Sequence, residues 1–101
     1  MSLRQDDLAV GNIRGSICTF AQAGDVLAWH THGPSDAHIT IVARGSVRLE
    51  TGRRNGGRYT VDQVHELGAG HCVDTGAGVF HQFIALADNS RIYNIIKEPV
   101  L

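Results

Sequence analysis

The stretch Gly24-Asp25-Val26-Leu27-Ala28-Trp29-His30-Thr31-His32 decides how this sequence is read. From Val26 onward it is apolar and β-prone, and it delivers two histidines two residues apart before Gly33-Pro34 stops it. Side chains alternate along a strand, so His30 and His32 are expected on one face. A His-x-His pair is common by chance, and a lone histidine is more simply a surface or hydrogen-bonded residue. The pair gains meaning from its surroundings.

Those surroundings are short strands cut by glycine. Twelve glycines stand against two prolines, and they divide the chain into pieces suited to tight turns. Strands are expected at 13–20, 26–32, 38–43, 46–51, 58–61, 64–67, 72–75, 80–86 and 91–96. No segment carries a long 3.6-residue apolar period, and only 6–10 is read as a helical turn. Eight or nine short strands imply a sandwich, jelly roll or small barrel.

The bulk numbers narrow the function classes. A chain of 101 residues fits one domain, 1–101. Hydrophobic residues make up 43% and charged residues 19%, an ordinary globular balance. A net charge of −1 offers no field to attract nucleic acid or a membrane surface, so neither is expected as a partner. No apolar run nears the ~20 residues of a membrane helix, and the first residues lack the apolar segment of a signal peptide. Arg53, Arg54 and Arg58 flank Asn55-Gly56-Gly57 and read as a solvated hairpin tip in preference to a phosphate site. Two cysteines do not make a disulfide framework, so Cys18 and Cys72 are expected reduced, buried and cytoplasmic.

Four of the six histidines fall where strands could bring them together. His38 and His81 begin two further strands, followed in alternation by Thr40 and Phe83, which are expected to line the same pocket. Imidazole is the commonest transition-metal ligand and suits Fe, Mn, Ni and Zn. Trp29 alternates with His30 and is expected to face outward, against a partner subunit. His65 reads as an ordinary strand residue and His71 as a surface one.

The glycine frame resembles that of the cupin superfamily. Its first motif is Gly, five residues, His-x-His, three or four residues, Glu, six residues, Gly. Here Gly24 precedes His30 and His32 at that spacing, and His38 precedes Gly45 with six residues between them. Its second motif is Gly, five residues, Pro-x-Gly, two residues, His, three residues, Asn. Here Gly70, Gly78 and His81 match, with Gly76 at the Pro position and Ala85 at the Asn position. The match spans 24–45 and 70–85. The gap after His32 is longer than in the motif, so Asp36 rivals His38 as fourth ligand.

The resemblance implies an all-β, double-stranded β-helix (a cupin jelly-roll barrel) holding one divalent metal ion on His30, His32, His81 and His38. Neutral histidines would leave the ion's charge uncancelled and favour anionic ligands. Three functions are in view. The first is a metal-dependent enzyme, a dioxygenase or a lyase/isomerase, acting on a small organic molecule. The second is a ligand-binding or sensory barrel without turnover. The third is a metal-free barrel using histidine as acid and base. Tyr59, His71, Asp74 and Tyr93 are the acid–base candidates, and a homodimer is expected to cover an exposed strand edge and Trp29.

Overall fold

The computed structural model describes residues 3–11, 13–32, 37–76 and 78–97. Nine strands run in order: β1 (Leu3–Val10), β2 (Ile13–Phe20), β3 (Val26–His30), β4 (Ala37–Arg44), β5 (Ser46–Asn55), β6 (Arg58–Gly68), β7 (Cys72–Val73), β8 (Phe80–Ala85) and β9 (Ser90–Lys97). They form two antiparallel sheets, β1-β2-β9-β4-β7 and β3-β8-β5-β6. Most connections cross between the sheets, while β1–β2 and β5–β6 are hairpins within one. The result is an all-β jelly roll with no helix among the described residues.

Strand parity builds the core. On β8 the buried side chains are His81, Phe83 and Ala85, opposite Thr51, Leu49 and Val47 of β5. From the other sheet come Cys18 and Phe20, Val42, and Ile92. These alternate positions face one another and form the apolar cluster. The outer rows differ. Glu50 sits opposite Gln82, accepts its amide at 2.6 Å, and pairs with Arg48 at 2.7 Å. Trp29 does face away from the core, but its ring stacks on Tyr59 of the same chain, with centroids 4.8 Å apart and planes 2° from parallel.

Three expectations are corrected. The segment 6–10 is strand, because all of β1 pairs with β2 from Leu3↔Phe20 to Val10↔Ile13, and tertiary pairing overrides a weak local preference. The pieces 58–61 and 64–67 are one strand, β6, bent by a bulge beside Asp62. Cys72 is exposed, not buried, because β7 is an edge strand of two residues and Val73 takes the inward position. Gly33, Pro34 and Asp36 lie outside the described residues, so the rival ligand is not placed by the structure.

The glycine frame has a physical content. Gly24 donates its N–H to Ala85 at 2.8 Å, and Gly78 donates to the His32 carbonyl at 3.1 Å. Ala69 donates to Gly45, and Gly70 to Val42. Segments 24–45 and 70–85 are therefore stitched together antiparallel, end to end. Gly45 turns at φ 75°, and a Cβ there would overlap the Ser90 hydroxyl. Gly56, at φ 59°, points into open space. Gly56→Ala should cost about 1 kcal/mol, from left-handed strain alone. Gly45→Ala should cost at least about 2 kcal/mol, from strain plus overlap. Urea unfolding of the two variants checks this, and equal losses would contradict it.

Candidate metal site

The site begins with β3 and β8, which pair so that His30 lies directly opposite His81. The register shifts between Leu27 and His30, so strict alternation does not run through β3. The bulge is what lets Leu27, opposite Phe83, and His30, opposite His81, both serve the inner face. β3 ends at His30, so His32 lies beyond the strand and is held by Gly78 rather than by strand parity.

The three rings converge. Each of His30, His32 and His81 offers a ring nitrogen within 4.8 Å of the others, a spacing that could hold one metal ion. Ring centroids lie 4.2 Å apart for His30–His81, 5.2 Å for His30–His32 and 5.1 Å for His32–His81. Nδ1 of His30 lies 2.8 Å from the Ala28 carbonyl, and Nδ1 of His81 lies 3.0 Å from that of Val79. A carbonyl can only accept, so Nδ1 carries the proton in both and Nε2 presents its lone pair. Backbone contacts of this kind fix the tautomer of metal-binding histidines.

His38 adjoins the cluster without entering it. Its ring stacks on His32 at 3.8 Å, 25° from parallel, with its centroid 5.9 Å from that of His81. Buried His38 has the Asn94 side chain beside it, whereas Nε2 of fully buried His81 has no hydrogen-bond partner among the described residues. Leaving a buried polar atom unpaired costs on the order of 1–3 kcal/mol. The lone pair on His81 Nε2, close to ring nitrogens of His30 and His32, fits a divalent cation, which would satisfy it.

Electrostatics points the same way. Burial pushes His81 down to about 4, helped by the neighbouring His30 and His32, with the Val79 carbonyl opposing. Burial also lowers His38, as do His81 and His30, while Asp74 and Asn94 pull the other way. Both rings are therefore neutral near pH 7, the form that binds metal.

Thr40 and Phe83 stand behind the histidines. Thr40 is fully buried and donates to Asn94 Oδ1 at 2.7 Å; Phe83 lies in the core, its ring 81° to that of His81. Two clefts open beside the cluster. One, of about 530 Å³, is lined by His30, His32, Leu27, Asn94 and Arg14. The other, of about 580 Å³, is lined by Thr51, His65, Asp74 and Val79, with the Arg53–Asp62 pair at 2.9 Å. Thr51 lies opposite His81, so the histidines stand between the clefts.

Of the four acid–base candidates, Asp74 alone is brought near the histidines. Tyr59 is stacked on Trp29, and Tyr93 shares a row with Ile17 and Ile41, alternate to the buried one. His71 accepts from Gly68 in an exposed turn. Asn94, Ser16 and Arg14 were not among the residues expected from sequence. Their signal was parity: Ser16 and Asn94 are polar residues two positions from buried Cys18 and Ile92.

No protein-family model matches the chain, and no curated protein matches it. Solved structures do. A cupin 2 conserved barrel domain protein from Salinispora arenicola is 22% identical, with 95% of this chain and 76% of that one covered and a TM-score of 0.70. A cupin-2 domain protein from Shewanella frigidimarina is 21% identical, with 96% and 80% covered and a TM-score of 0.66. KdgF from Halomonas sp. is 17% identical, with 97% and 80% covered and a TM-score of 0.72. The chain thus has the cupin fold.

The shift on His81 sets a pH dependence. Its value is near 6.5 unfolded and about 4 folded, so the unfolded chain binds more protons in between. The stabilisation is complete above pH 6.5 and is lost as pH falls toward 4. Metal-free protein should lose about 2 kcal/mol from this group between pH 7 and pH 5. Urea unfolding at both values checks this against His81→Gln, which should show a flatter dependence. An equal slope in both proteins would contradict it.

Proposed function

We propose that this chain is a metal-dependent enzyme, a dioxygenase or a lyase/isomerase, acting on a small organic molecule at an all-histidine centre. The observation that carries the reading is the convergence of His30, His32 and His81 within 4.8 Å, with an unpaired buried Nε2 on His81. His38 is proposed as the fourth ligand, its buried ring stacked on that of His32. When bound, a divalent Fe, Mn, Ni or Zn ion would act as a Lewis acid toward substrate oxygens, and the redox-active metals would also support oxygen chemistry.

The chain's own residues supply the rest. His30 and His81 keep fixed tautomers through the Ala28 and Val79 carbonyls, so each holds Nε2 in place. Phe83, Val42 and Ile92 exclude water from behind the cluster. Asp74 lines the second cleft and accepts the Gly76 N–H on Oδ1, so Oδ2 is the atom proposed to take or give a proton. A soluble, cytoplasmic homodimer without nucleic-acid or membrane partners completes the proposal. No helix among the described residues is long and apolar enough to cross a membrane.

Metal analysis of the purified protein tests the reading. About one equivalent of a first-row metal is expected, retained in Asp74→Asn and falling below a tenth of an equivalent in His81→Ala and His30→Ala. His38→Ala should weaken affinity by roughly 10–100-fold. Wild-type protein that takes up less than a tenth of an equivalent from Fe, Mn, Ni or Zn would overturn it.

A further inference from the structure

Among the described residues, the cleft beside His30 and His32 contains one formally charged side chain, Arg14. The strand register fixes where it stands. Arg14 of β2, Ile96 of β9 and His38 of β4 form one cross-strand row. Two strand spacings, about 10 Å of backbone, therefore separate Arg14 from the histidine strand. Ile96 lies between them, and Leu27 and Ala28 line the same cleft. The next row is Ser16, Asn94 and Thr40, where the Asn94 side chain accepts from Thr40 and donates to Cys18. Asn94 is thus engaged within the protein, and the surfaces between the two ends of the cleft are largely apolar.

Arg14 is positioned by its own hairpin. Its Nη1 donates to the carbonyls of Gly11 and Ile13, at 3.1 and 3.3 Å. A guanidinium has three further N–H donors on Nε and Nη2, an edge that matches a carboxylate in bidentate fashion. At the opposite end, neutral histidines would leave the charge of a divalent ion uncancelled. The cleft therefore has two positive poles and an apolar middle.

We infer that this cleft binds a small aliphatic dianion, one acid group at the metal centre and a second on Arg14, joined by a short apolar chain of about three to five carbons. The inference rests on the metal reading proposed above. It makes Arg14 the residue that selects substrates by length and charge, with no part in holding the metal.

The test uses Co(II)-loaded protein, whose visible absorption reports metal binding separately from ligand binding. Calorimetry would then compare glutarate, adipate and pimelate with valerate, hexanoate and heptanoate. At least one dicarboxylate should bind roughly tenfold or more tightly than the monocarboxylate of matching length. Arg14→Gln should keep one equivalent of Co(II) and an unchanged spectrum, yet lose that preference, and Arg14→Lys should recover part of it. Co(II) uptake with no dicarboxylate preference, or with a preference that survives Arg14→Gln, would overturn this inference alone. Failure to take up Co(II) would overturn the metal reading and this inference with it.

Discussion

The antiparallel pairing of β3 with β8 is the constraint from which the site follows. It sets His30 opposite His81, and a bulge of one residue keeps both on the inner face. One turn further, Gly78 holds the His32 carbonyl. Three histidines separated by up to 51 residues, which could hold one ion, are thus located by a few backbone hydrogen bonds. The same pairing runs on to Gly24 and Ala85 at the other end of β3. A slip of one residue would turn His81 to the outer face and bring Phe80 and Gln82 inward.

This arrangement costs stability when no cation is present. His81 is fully buried, with one nitrogen satisfied and the other not. His38 is buried beside it, its ring stacked on that of His32. Burial, with the neighbouring imidazoles, also disfavours protonation of His81 and His38, so these two stay neutral where an isolated histidine would begin to charge. A core built for stability alone would place apolar side chains here, as it does two and four residues on, at Phe83 and Ala85. Functional sites commonly hold such uncompensated groups, and the apolar cluster behind them supplies the margin.

Much of this was legible in the sequence. Glycine spacing and alternating strands gave an all-β barrel, and the motif frame identified His30, His32 and His81, which the structure brings together. Other features depended on non-local pairing. The segment 6–10 became strand only because β2 offers it a partner. Cys72 faces solvent because β7 is two residues long at a sheet edge, and neither length nor position is written locally. Parity alone suggested that His30 and His32 share a strand face, whereas a bulge and Gly78 set their positions. Arg14 and Asn94 enter the site through the β2–β9 register, which joins segments about 80 residues apart.

The account rests on an ion held by histidine nitrogens alone. Anomalous diffraction from crystals of metal-loaded protein measures that directly. One peak is expected, about 2.0–2.2 Å from Nε2 of His30, His32 and His81, with His38 completing the set. A peak bound to a carboxylate in place of one of these three histidines, or no peak between β3 and β8, would contradict it.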